Sequence, residues 1–229
     1  FGLSNAVSMF VEIRGIGLGP VSFGRRTDVG FRVGYSLLQT ALRHKQEVKK
    51  GVQEAVRQTV SRKAPAVVTF EPQEKVYSVQ FIDLNRSEAF TAELPALDGL
   101  RNTFGLTRYR PKAYFLADTC VREVKNLRTL GIEVERLEQL ETVEVERYVV
   151  SDYAQSNQVW EGIYPVRVRT SLEKVTRTFP VGSYRVDPAQ RGGNLAVTLL
   201  EPESENGFVA FGVTPADLQA ELPVYRWGD

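Results

Sequence analysis

Apolar and polar positions follow three rhythms along this chain. The first is a nearly continuous apolar run, Val7 to Ile13, broken by Glu12 and bounded by Gly15. Such a run between punctuating residues predicts a buried strand. The second rhythm is helical. Leu38, Ala41, Leu42, Val48, Val52, Ala55, Val56 and Val60 recur at spacings of three and four. They predict one long amphipathic helix over roughly 30–62, entered near Thr27 and Asp28 and weakened at Gly51. Pro65 closes it, because proline disfavours helix at the residue before it.

The third rhythm, from Ala66 onward, is dominated by alternation. Val67–Phe70, Val76–Ile82 and Ala89–Leu94 predict strands. Arg110–Leu116 predicts a short strand. Thr119–Leu130 has helical period, with Gly131 as its stop, and Ile132–Leu137 alternates again. A strand–helix–strand unit of this kind predicts adjacent parallel strands joined by a right-handed crossover. Val143–Val150, Val166–Arg169, Glu173–Phe179 and Phe179–Val186 alternate as half-exposed antiparallel strands do. Leu195–Leu200 is a continuous apolar run that fits a buried strand or a short helix, the helix favoured by its Ala and Leu content and the stop at Pro202, and Pro223–Arg226 is a last strand.

Composition narrows the class. The chain has 229 residues, 42% apolar and 25% charged, which is ordinary for a globular protein of one or two domains. No stretch of eighteen apolar residues occurs, so no membrane span is expected. A single cysteine, Cys120, excludes an internal disulfide and reads as a buried, inert thiol. The net charge of +1 is unevenly placed. Residues 1–63 hold eleven Lys and Arg against four Asp and Glu, and the remainder is acidic. The basic positions of 43–63 alternate with apolar ones at helical spacing, so they read as one solvated helix face rather than a nucleic-acid surface. The opposite charges of the two parts also suit a contact between them.

Candidate chemistry concentrates at Glu12. A carboxylate held in an apolar strand suits a general base, because burial disfavours its charged form. Arg14, two residues on, shares its strand face and is its expected partner. The alternative is a purely structural Glu12–Arg14 pair. His44 stands in a charged stretch, with Glu47 three residues on and no second histidine in the sequence, and reads as a solvated helix residue. Gly15, Gly17 and Gly19 lack a dinucleotide-binding spacing and read as tight-turn glycines. Ser4, Ser8 and Ser22 lack a nucleophile elbow. Glu201, Glu203 and Glu205 lack the regular ligand spacing of a calcium loop and read as a solvated turn. Trp160, Trp227, Tyr153 and Tyr164 read as packing aromatics.

The stretch Gly2–Gly15, with Phe10, Glu12 and Arg14 in a Phe-x-Glu-x-Arg-like pattern, resembles the last sheet strand of the zinc carboxypeptidases of the carboxypeptidase A type. The glycine-rich loop, the Arg25-Arg26 pair and the following helix fit the same resemblance. Short motifs at 110–114, 179–184, 200–205 and 222–226 resemble a domain appended in bacterial members of that group. The resemblance implies that Glu12 is the general base and Arg14 a supporting residue. It also implies zinc as cofactor, a peptide or cell-wall peptide as substrate, and a secreted or periplasmic setting. The one His-x-x-Glu spacing, His44 to Glu47, falls after Glu12 in a charged helical stretch and no later His follows it, so the family's ligand set is not here, and the chain opens on Phe1. The expectation is therefore a C-terminal fragment carrying the general base but no metal ligand, with the zinc ligands upstream.

The expected architecture has two parts. Residues 1–63 would be the α/β closing strand and helix of a carboxypeptidase domain, and residues 66–229 an α+β, β-rich accessory domain. The rival is a non-catalytic binding or interaction module.

Overall fold

A computed structural model describes residues 2–228, without the side chains of residues 16, 18 and 100. Most of the chain's order lies in one six-stranded antiparallel sheet. Its strands are β5 (Ala113–Leu116), β6 (Glu135–Arg136), β7 (Glu141–Gln155), β8 (Val166–Phe179), β9 (Tyr184–Val186) and β10 (Glu221–Trp227), in the order β6-β9-β5-β10-β7-β8. Two helices, α3 (Val121–Thr129) and α4 (Gly193–Leu200), cover one face.

Alternation explains both faces. Tyr114 and Leu116 of β5, Tyr148 and Val150 of β7, and Leu222 and Val224 of β10 point to the helix side. There they meet Val124 and Leu127 of α3 and Ala196, Val197 and Leu200 of α4. Intervening residues supply a smaller core on the far face, from Phe115, Val145, Phe179 and Tyr225. The rings of Phe115 and Phe179 stack at 4.6 Å, and Tyr225 meets Phe179 edge-on at 5.3 Å. Offset and edge-to-face contacts of this kind are favoured by the ring quadrupole. Helix α3 ends where Gly131 takes φ 78°, and the Ile132 N–H reaches back to the Leu127 carbonyl at 2.9 Å. Helix α4 begins at Gly193, where a Cβ would meet the Pro188 carbonyl oxygen at 1.9 Å, so only glycine fits.

The expected parallel strand–helix–strand unit is not formed. β5 and β6 run in the same direction, but β9 lies between them and pairs antiparallel to each. The strand arriving after the Pro180–Ser183 turn takes the central place, and β6 is only two residues long. The two segments expected as separate strands at 166–169 and 173–179 are one continuous strand, β8.

The other elements lie outside this sheet. β1 (Ala66–Val67) pairs with β4 (Thr107–Arg108). Between them β2 (Phe70–Asp83) and β3 (Glu88–Phe104) form a two-stranded arm whose strands, among the described residues, pair only with each other. The strand expected at 89–94 is the middle of this longer β3. Helices α1 (Phe23–Arg43) and α2 (Lys45–Ser61) carry the predicted helical stretch, but the break falls at His44, not Gly51. The helix also starts earlier than Thr27, at Phe23, directly after a 3-10 turn at Ile16–Ser22. The end of α2 is pinned to the sheet region. Asn5 Nδ2 donates to Thr59 Oγ1 at 3.0 Å and to the Arg191 carbonyl at 2.8 Å, and Asn194 Nδ2 reaches the same Thr59 oxygen at 3.3 Å. Among the described residues no helix is long and apolar enough to cross a membrane.

Candidate functional site

Glu12 does not lie on a strand. Residues 6–13 have no regular secondary structure, and no strand of the described residues pairs with them. A strand needs a ladder partner for its backbone groups, and here the segment finds none. The apolar side chains of Val7, Met9, Phe10 and Val11 are consequently exposed, Phe10 to 87%, while Ile13 is half-buried. Glu12 and Arg14 are exposed as well, and no ion pair joins them. The expected buried strand and the expected Glu12–Arg14 pair are both absent from this structure. The backbone of Arg14 is held, however, because its carbonyl accepts from Arg25 Nη2 at 2.5 Å.

The glycines after it do what tight-turn glycines do. Gly15 has φ 155°, and a Cβ there would meet Arg26 Cδ at 2.5 Å. Ser22 Oγ donates to the Gly15 and Gly19 carbonyls at 2.9 and 3.1 Å, closing the turn into α1. Ser22 is thus a structural hydroxyl.

The residues present do not make a zinc site. His44 sits in the α1–α2 kink, exposed, with Nδ1 3.2 Å from Glu47. Cys120 is buried ahead of α3, and burial, with Glu123 nearby, pushes its thiol up to about 12. A thiol so hard to ionise is a poor metal ligand or nucleophile. Among the described residues no three His, Cys, Asp or Glu side chains gather to hold a metal ion. A catalytic zinc site needs about three protein donors.

The most connected polar cluster is elsewhere, and it corrects the solvated reading of Glu201 and Glu203, while Glu205 is exposed as expected. Glu201 and Arg226 are completely buried. Arg108 Nη1 lies 2.7 Å from Glu201 Oε2 and 2.7 Å from Glu203 Oε2. Its Nη2 donates to Glu203 Oε1 at 2.8 Å. The other Glu201 oxygen accepts from Arg226 Nη1 and from Tyr114 Oη, the latter at 2.6 Å. Glu203 Oε1 also accepts from the Thr170 N–H at 3.0 Å and hydroxyl at 2.6 Å. Arg226 further donates to Glu146 at 3.3 Å and to the Tyr109 carbonyl, and its guanidinium lies 4.5 Å from the Tyr109 ring centre. Burial works against the charge of Glu203, but the hydrogen bonds and charge of Arg108 outweigh it and hold the carboxyl below its ordinary range. Burial pushes the Tyr114 and Tyr148 phenols well up, so both stay protonated.

This cluster is built to hold the fold together. Both Glu201 oxygens and both Glu203 oxygens are occupied by donors from β4, β5, β8 and β10, which leaves little capacity for a reacting group. The sequence carried a signal for it. Arg226 stands two residues after Val224 and four after Leu222, on the core-facing positions of its own strand. Glu201 follows directly on the apolar run of α4.

Beside the cluster, the outer edge of β8 borders a groove of about 560 Å³ lined by Thr69, Leu106, Arg108, Arg167, Arg169 and Glu203. Of the aromatic residues singled out from sequence, Trp227 packs edge-on against Phe115 at 5.9 Å. Trp160 and Tyr164 are exposed near the β7–β8 hairpin end, where Trp160 bridges to Ile163.

The chain is 30% identical over 228 residues to a protein named carboxypeptidase 2 from Trichophyton rubrum, and 31% identical over 228 residues to its namesake from Trichophyton tonsurans. Both alignments cover 98% of this chain. A protein named probable carboxypeptidase 2 from Arthroderma benhamiae is 29% identical over 90% of the chain. The chain spans about two-fifths of the length of these curated relatives, 42% for the first two. No family model matches the chain, and no solved structure matches it.

Proposed function

We propose that this chain is the C-terminal part of a zinc carboxypeptidase that shortens peptides, or related cell-wall peptides, from their C-terminal end. The observation that carries the reading is the likeness to proteins named carboxypeptidase 2, which runs through 98% of this chain and so includes the Glu12 segment. Zinc would be held by ligands outside these residues, since the donors here do not fit it. In this reading Glu12 takes a proton from the attacking water and returns it to the leaving amine, as a positioned carboxylate does. Arg14 supports the segment through its backbone contact with Arg25. The apolar, exposed segment from Val7 to Ile13 is then a strand awaiting a ladder partner, and the exposed face of α1 awaits a sheet.

The test uses the longer protein. Glu12→Gln should leave zinc content unchanged and lower turnover of a C-terminally blocked and unblocked peptide pair's cleavable member by about a hundredfold or more. Unchanged turnover would remove Glu12 from the reaction. A longer protein without a His-x-x-Glu pair and a later His ahead of the Glu12 segment would instead support the non-catalytic module.

A further inference from the structure

β8 is an edge strand of the six-stranded sheet, and the chain closes only part of that edge itself. Val166 donates its N–H to the Ala210 carbonyl at 3.0 Å. Thr170 donates its N–H to Glu203 Oε1 at 3.0 Å. Both bonds lie on the side away from β7. Residues two apart on a strand turn their N–H and C=O to the same side. Val168 therefore offers its backbone outward, between two positions that are already closed. Its side chain is buried in the core, so backbone is most of what it presents. The groove described above lies at this point, with Val168 in its wall.

The three guanidinium groups of the groove differ. Arg108 is held by Glu201 and Glu203. Arg167 is exposed and lies 3.5 Å from Glu205. Arg169 is exposed and has no ion pair among the described residues, not even with Asp152, its cross-strand neighbour on β7. An open strand edge beside an available guanidinium is the pairing of groups that reads a peptide backbone and its terminal carboxylate.

We propose that this groove binds a short peptide in extended form, paired with β8 at Val168, with its C-terminal carboxylate on Arg169 or Arg167. Closure of the edge at Val166 and Thr170 limits the ligand to two or three residues. A longer strand would displace the Ala210 and Glu203 contacts. The site lies wholly within residues 66–228, and its readout is binding. It therefore stands or falls separately from the carboxypeptidase reading.

The experiment titrates the chain against dansyl-labelled Ala-Val-Ala and follows fluorescence anisotropy. The free acid should bind saturably. The C-terminal amide should bind about fivefold more weakly or worse, since it loses a charge-assisted bond. The acid with an N-methylated central valine should lose about tenfold, since it cannot donate to the Val168 carbonyl. The Arg167→Gln/Arg169→Gln chain should bind the acid no better than the amide, with an unchanged thermal melting curve. Absence of saturable binding by the acid would overturn the proposal. So would equal binding of acid and amide, or full retention of binding by the N-methylated peptide.

Discussion

Residues 113–227 and residues 6–43 contain similar apolar side chains in opposite surroundings. In the first region, Phe115, Leu116, Leu127 and Leu222 lose essentially all contact with water between sheet and helices. In the second, Val7, Met9, Phe10, Phe31 and Leu38 stay largely exposed, and α1 has no buried residue. The difference lies in what each region packs against. A sheet of six strands with helices on one face supplies partners for every inward position. A lone unpaired segment and a surface helix supply none, so the same amphipathic pattern marks an open face. The polar groups follow the same division. Glu201 is fully enclosed by donors, and Glu12 faces water.

The largest expected effect tests that enclosure. Glu201→Ala leaves the buried Arg226 with only Glu146, at 3.3 Å, as a carboxylate partner and strips Arg108 of one of its two. Breaking one side of a buried pair costs about 3–5 kcal/mol where the remaining charge is left uncompensated, and Glu146 and Glu203 place this change toward the lower end of that range. Glu12→Ala in the same chain should change stability by less than about 0.5 kcal/mol, as exposed substitutions do. Urea unfolding measures both. Equal, small losses would mean that the two glutamates share one solvent environment and that Glu201 is not enclosed.

The strands of the main sheet were legible in the sequence because alternation survives burial of one face. Val143–Val150, Val166–Arg169, Glu173–Phe179 and Pro223–Arg226 all fall within observed strands. The short helix at 195–200 was legible from its Ala and Leu content and the proline after it. What failed were inferences about neighbours. β9 inserts between β5 and β6, and local pattern says nothing of a partner arriving about fifty residues later. The run at Val7–Ile13 reads as a strand on its own, yet strand formation depends on a partner's backbone, which the described residues do not provide. In the Glu201–Glu205 loop the solvated reading holds for the exposed Glu205 and fails for Glu201 and Glu203, because the cations that neutralise these two lie far off in sequence, at Arg226 and Arg108. Glu12 stood out because a carboxylate in an apolar run is rare locally, and the site it would complete lies in no residue described here.

A second comparison sets two leucines against each other. Leu127 on α3 is fully buried, and Leu38 on α1 is 73% exposed. Leu127→Ala should cost about 2–5 kcal/mol, the sum of lost transfer energy and the cavity left behind. Leu38→Ala should cost almost nothing in this chain. In the longer protein the proposed reading has α1 covered, and there the same change should cost about 2 kcal/mol or more. Thermal or urea unfolding of both lengths decides the matter. A large loss from Leu38→Ala in the short chain would show that α1 already has a partner, which the contrast between the two regions denies.

The smallest effect is acid dependence, and it also separates the regions. Glu203 is held below the ordinary carboxyl value of 4.5 in the folded chain, by the bonds and charge of Arg108 acting against burial. A carboxyl with a depressed folded value contributes its stability fully above its unfolded value, and loses it as pH falls through the folded one. The stabilisation is therefore complete at pH 6–7 on this account, begins to fade below about 4.5, and is gone once Glu203 is protonated in both states. Arg108 stays charged throughout, so protonation leaves a buried cation with one partner fewer. Glu203→Gln removes the titrating group but keeps an oxygen that can accept from Thr170. Its unfolding midpoint should be lower than that of the parent at pH 7, and the gap should narrow as pH is lowered from 5 toward 3. A gap that stays constant over that interval would mean that Arg108 does not couple to Glu203 in the folded chain, and the network would then rest on Glu201 alone.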